Sequence, residues 1–108
     1  MGFKAATEAD FTAQVIQLAH IHGWKVAHFR PAETAKGWRT AVQGDGAGFP
    51  DLILVKAGRP VVYAELKSDG GKTSSAQDMW LETLRLTPSQ AFVWRPDDWP
   101  EIEKVLGT

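Results

Sequence analysis

Asp51, Glu65 and Lys67 could do chemistry together. In "DLILVKAGRPVVYAELK", Asp51 opens the first apolar run, and Glu65 and Lys67 close the second. The runs flank a turn centred on Gly58. Asp51 stands seven residues before Gly58 and Glu65 seven after it, so an antiparallel hairpin sets the two carboxylates opposite each other. A bulge would move that register by one residue. Like charges facing across a ladder repel, so a cation is needed to offset them. Lys67 is two residues beyond Glu65 and points to the same strand face, so its ammonium can be that cation. With the Leu66 carbonyl, the two carboxylates also make an all-oxygen donor set that suits Mg²⁺ or Mn²⁺. A lysine beside such an ion can orient a water nucleophile or neutralise charge on a phosphate in transfer. The alternative is a surface ion pair worth about 0–1 kcal/mol. Two features favour a built site. Pro50 in "GFPD" fixes the backbone that enters Asp51, and both strands are apolar, so the carboxylates border a core.

The elements that must hold these residues are legible in the pattern. "TEADFTAQVIQLAHIHG" predicts a first helix with Phe11, Val15, Leu18 and His22 on one face. Thr7 is its N-cap, Asp10 takes the capping-box position, and Gly23 ends it. Glu8 in the first turn suits the helix dipole. "WKVAHFR" alternates and predicts a strand, with Trp24, Val26 and His28 on one face. Residues 31–50 are glycine-rich without a sustained period and read as a long loop, carrying Lys36, Trp38 and Arg39. "DLILV" and "VVYAEL" form the hairpin. "TSSAQDMWLETLRL" predicts a second helix, capped by Ser74 or Ser75, with Met79 or Trp80, Leu84 and Thr87 inward. "AFVWR" is a last strand. "PDDWPEIEKVLGT" predicts a C-terminal helix capped by Asp98, with Pro100 early and Ile102, Val105 and Leu106 inward. The order is αβββαβα, an α/β fold with helices packed on a mixed sheet.

Composition narrows the function. The chain of 108 residues is 44% hydrophobic and 23% charged, which predicts one globular domain over residues 1–108. Twelve Lys and Arg against 13 Asp and Glu give a net charge of −1, so bulk charge does not drive nucleic-acid binding. A local basic patch, or a metal that screens the carboxylates, has to do it. There is no Cys, which excludes disulfides and thiolate metal sites. No apolar run approaches the ~20 residues of a membrane span, and acidic residues occupy the region where a signal peptide would be apolar. The expected location is the cytoplasm, with no membrane partner. Five Trp are expected to anchor core and surface, with base stacking as the alternative. His20, His22 and His28 do not make a ligand set.

Pro50–Asp51 followed by Glu65, Leu66 and Lys67 resembles the PD-(D/E)XK nuclease signature. More narrowly, "GFPDLILV…VVYAELKSDGGKTSSAQDMWLETLR…VWRP" resembles the stand-alone VRR-NUC nucleases of phages and bacteria. "TEADFTAQVIQLAHIHGWKVAHFRP" resembles their N-terminal helix and strand, so the likeness runs from about Glu8 to Leu106. It implies a restriction-endonuclease-like αβββαβ core, here followed by a C-terminal helix, and metal-dependent hydrolysis of phosphodiesters. By the same resemblance Asp51 and Glu65 are metal ligands, completed by the Leu66 carbonyl, and Lys67 is the catalytic lysine. Glu8 faces the metal from the first helix, and Gln77 lies close to the site. Stand-alone members are similar to Holliday-junction resolvases and tend to act as homodimers, which implies branched DNA and a second copy of this chain as partners. Lys36, Arg39 and Lys72, on loops beside the proposed site, are the expected phosphate contacts. Two alternatives stand beside a junction resolvase. One is a nicking or restriction-like nuclease on linear or flap DNA. The other is a non-catalytic DNA-binding module that keeps the fold.

Overall fold

The first helix, α1 (Glu8–Ile21), starts where Thr7 is extended and its Oγ1 accepts from the Asp10 backbone N–H at 3.0 Å. It ends as Gly23 takes φ +85°, a conformation that costs other residues more. The structure is a computed structural model that describes residues 7–29, 32–34, 37–39 and 43–107, with 32–34 and 37–39 described as backbone. The buried stripe of α1 is Phe11, Val15 and Ala19, with Leu18 on its flank. His22, expected inward, is instead the half-buried C-cap. The helix has ended there, and the small Ala19 one turn earlier fills the inward position.

The strands are β1 (Lys25–His28), β2 (Ala32–Thr34), β3 (Gly37–Arg39), β4 (Leu52–Val55), β5 (Val62–Leu66) and β6 (Gln90–Trp94). Helix α2 (Ser75–Arg85) crosses from β5 to β6, and α3 (Trp99–Leu106) follows a short 3₁₀ turn at Pro96–Asp98. The main sheet has the order β1-β4-β5-β6, antiparallel except for the parallel pair β5–β6, as a helical crossover demands. The predicted order therefore holds in the main sheet. The stretch read as loop also contains β2 and β3, which among the described residues pair with each other in a separate two-stranded sheet. Strands of three residues are too short for alternation to register as a period.

Alternation along β5 divides the molecule into layers. Val62, Ala64 and Leu66, with Leu52, Leu54, Trp24 and Trp94, pack under α1 and α3 through Phe11, Val15, Ala19, Ile102 and Leu106. Each such large apolar side chain contributes about 1.5–3 kcal/mol by burial, which makes the hairpin a rigid mount. Trp24, just before β1, donates its Nε1–H to the Leu106 carbonyl at 2.8 Å and ties the start of that strand to the end of α3. On the other face Tyr63, Ala91 and Val93 meet Leu81, Leu84 and Trp80 of α2. Met79 is 68% exposed, so of the two expected residues Trp80 is the inward one, joined by Leu81. Asp98 occupies the N-cap of α3, but its carboxylate accepts from the Arg95 backbone N–H at 2.8 Å and makes no side-chain cap bond.

Candidate active site

The hairpin register pairs Leu52 with Ala64, Ile53 with Tyr63 and Leu54 with Val62, about a turn where Gly58 has φ +81°. One further step sets Asp51 across from Glu65. Both therefore stand at the open end of the hairpin, on the sheet face that α2 covers. Asp51 is pinned there. Its Oδ2 accepts from the Leu66 backbone N–H at 2.9 Å, and its carbonyl accepts from the Phe29 N–H at 2.8 Å.

Glu65 is 2% exposed, a rare state for a carboxylate. Its Oε2 accepts from Gln77 Nε2 at 2.8 Å and lies 3.5 Å from Lys67 Nζ. Its Oε1 is buried and has no hydrogen-bond partner among the described residues. Burial and then the neighbouring Asp51 carboxylate push the Glu65 carboxyl up to about 8, against the pull of Lys67. An unpartnered buried oxygen costs about 1–3 kcal/mol, more when charged. A divalent cation would offset that cost. The donor chemistry fits one: Asp51, Glu65 and the Leu66 carbonyl are hard oxygens, and the orphaned Oε1 is in want of a positive partner.

Gln77 reaches Glu65 from α2. Ser74 caps that helix with a full capping box: its Oγ accepts from the Gln77 N–H, and Gln77 Oε1 accepts from the Ser74 N–H. The structure thus brings Asp51, Glu65, Lys67 and Gln77 together. Glu8 is exposed in the first turn of α1, a helix that packs on the sheet face opposite α2. Among the described residues no three His, Cys, Asp or Glu side chains gather into a metal-holding group. Lys72 is exposed between β5 and α2. Lys36 lies outside the described residues, and Arg39 falls in β3, where only backbone is described.

Several supporting residues carried no functional signal in the sequence. The ring of Phe49 meets Phe29, Tyr63 and Trp80 edge-on, at centroid distances of 5.3, 6.1 and 5.0 Å. Trp80 Nε1 donates to the carbonyls of Asp45 and Ala47 at 3.0 and 3.1 Å. Together these fasten the segment leading into Asp51 onto α2. Behind Lys67, Arg95 Nη2 donates to the Gly71 carbonyl at 2.6 Å and holds the next turn. The glycine and aromatic of "GFPD" were the available clue, but no periodicity in that stretch says what they touch.

Gly48 is where the segment and α2 come closest. A Cβ there would lie 2.5 Å from the Ala76 carbonyl carbon and 2.7 Å from the Gln77 nitrogen, and φ is +81°. Gly48→Ala is expected to destabilise the protein by about 2–4 kcal/mol, from left-handed strain plus overpacking. Urea unfolding checks this, and a loss below experimental error would refute the close approach.

The family model of the VRR-NUC domain matches residues 10–97. The matched segment contains Asp51, Glu65, Lys67 and Gln77 and begins after Glu8. No curated protein matches the chain.

Proposed function

Because the chain belongs to the VRR-NUC family and is a nuclease domain, we propose that it is a Mg²⁺- or Mn²⁺-dependent DNA endonuclease whose site is Asp51, Glu65 and Lys67, supported by Gln77. The observation that carries this is the buried Glu65 beside Asp51, with an unpartnered Oε1 and Lys67 at 3.5 Å. Asp51, Glu65 and the Leu66 carbonyl would hold the ion. When bound, the ion supplies Lewis acidity toward the scissile phosphate. Lys67, partly exposed at 17%, is placed to orient the attacking water and to neutralise charge on the phosphate. The Leu66 N–H keeps Asp51 from swinging away, and the Gln77 amide does the same for Glu65.

The substrate in this proposal is branched DNA, with a four-way junction as the preferred form. Such a junction has near two-fold symmetry and needs paired incisions. Among the described residues one such site is assembled, so a homodimer is part of the proposal. Its place of action is the cytoplasm; among the described residues no helix is long and apolar enough to cross a membrane. Labelled four-way, flap, splayed and linear DNAs, each with Mg²⁺ and with chelator, test the proposal. Equal cutting of linear duplex and junction would turn it toward a restriction-like or nicking enzyme. Binding without cutting of any substrate would make the chain a DNA-binding module. Sedimentation that finds only monomer at micromolar concentration would remove the resolvase and keep the nuclease.

Lys72, with Lys36 and Arg39, is proposed to contact phosphate. Lys72→Ala is expected to weaken DNA binding alike for all sequences and to lower the slope of log K against log salt by about 1. Fluorescence anisotropy at several salt concentrations measures this, and an unchanged slope would remove Lys72 from the interface.

A further inference from the structure

The Gln77 side chain is used at both ends. Its Oε1 accepts from the Ser74 backbone N–H at 2.8 Å, and its Nε2 donates to Glu65 Oε2 at 2.8 Å. The two ends of a carboxamide are not equivalent, since the oxygen only accepts and the NH₂ only donates. A backbone N–H can only donate. The Ser74 N–H therefore draws the amide oxygen to itself and turns the NH₂ toward Glu65. A flipped amide would set donor against donor at Ser74 and acceptor against acceptor at Glu65. The NH₂ then takes one carboxylate oxygen, Oε2, and leaves Oε1 as the buried oxygen without a partner among the described residues.

We infer that Ser74 is a positioning residue for the metal site: its backbone N–H orients the Gln77 amide, and the amide holds Glu65 so that Oε1 is the oxygen offered to the cation. The inference rests on the metal-dependent reading above. Ser74 acts only through Gln77, as the outer hydrogen bonds of metal sites do when they aim a ligand. Gly48 reinforces the arrangement, because its missing side chain lets the segment before Asp51 press on the backbone of Ala76 and Gln77. The Glu65 carboxylate is held from the first turn of α2, and the segment that leads into Asp51 presses on that same turn.

The test separates the N–H of Ser74 from its hydroxyl. Mn²⁺ affinity by calorimetry and the metal-free Tm are measured on the full chain as wild type, Ser74→Ala, Ser74→Pro and Gln77→Leu. Ser74→Ala keeps the N–H and loses only the hydroxyl cap, so Tm falls by about 4–8 °C while Mn²⁺ affinity stays within about twofold. Ser74→Pro loses the N–H as well, at a φ of −87° that lies close to the range of proline. Its Mn²⁺ affinity falls by about 10–100-fold, and that of Gln77→Leu falls likewise. Equal affinities for Ser74→Pro and Ser74→Ala would overturn the inference, whether both are tight or both weak. Wild-type affinity in Gln77→Leu would overturn it even if Ser74→Pro does not fold. A wild type that binds no Mn²⁺ overturns the metal-dependent reading itself, and this inference with it.

Discussion

Asp51→Asn is expected to lower Mg²⁺-dependent DNA cleavage by at least about 10²-fold while the protein stays folded. The substitution is close to isosteric. An asparagine oxygen can still accept from the Leu66 N–H, the bond that Asp51 Oδ2 makes at 2.9 Å, so what is lost is the negative charge that a cation needs. Glu65→Gln follows the same logic. Its oxygen can accept from Gln77 in place of Oε2, and an NH₂ then stands where the unpartnered Oε1 was. That group repels a cation, and cleavage should fall at least as far. Lys67→Ala removes the ammonium 3.5 Å from Glu65 and should cost about 10²–10³-fold in rate, with Mn²⁺ binding retained. Glu8→Gln should lose least, because Glu8 is exposed and lies across the sheet from α2. Single-turnover cleavage of a labelled junction gives these ratios. Wild-type rates in Asp51→Asn and Lys67→Ala together would end the assignment of the site. A loss in Glu8→Gln equal to that in Asp51→Asn would place Glu8 within the metal's own ligand set.

Without metal, the protein should become less stable as pH rises from about 4.5 to about 8. The Glu65 carboxyl is raised from 4.5 to about 8 in the folded state, so folding favours its protonated form. That contribution is fully present below the unfolded pKa. It is lost as the pH climbs to the folded value, and above that it stays lost. The expected loss across the window is a few kcal/mol, or about 10 °C or more in Tm for a domain of this size. The physical origin is the pairing of burial with the neighbouring Asp51, which Lys67 only partly offsets. A divalent ion takes over the role of the proton, so saturating Mn²⁺ should remove most of the slope. At 100-fold over Kd it adds about 2.7 kcal/mol. Glu65→Gln should flatten the metal-free slope and gain nothing from Mn²⁺. Melting curves at pH 5, 6.5 and 8.5, with and without Mn²⁺, read all of this. A wild-type Tm that ignores both pH and metal would mean that Glu65 is not strained by its surroundings.

Legibility in the sequence differed from residue to residue. The contact of Lys67 with Glu65 follows from their two-residue spacing in a strand. The cap of α1 follows from Thr7 standing before a helical period, whereas for α2 the sequence offered Ser74 or Ser75 and the structure selects Ser74. Gln77 near the site came from family resemblance, since nothing in a first-turn glutamine says which way its amide points. The inward face of α2 was half read. Met79 and Trp80 are equally apolar in sequence, and packing against Phe49 selected Trp80. The β2–β3 ribbon was missed because its strands are shorter than any period can show.

By itself the sequence determined that Asp51 faces Glu65. Strand pairing has a period of two and the turn is centred on Gly58, so the match is decided within one hairpin by local rules. Only the tertiary structure decided that Glu65 is buried, that one of its oxygens is left unpartnered and the other is held from α2, and that Glu8 lies in a different layer. Those facts depend on how helices settle on a sheet, which is set by the summed packing of residues distant in the chain. A register propagates along one element, but the distance between elements does not, and the electrostatics of this site depend on that distance.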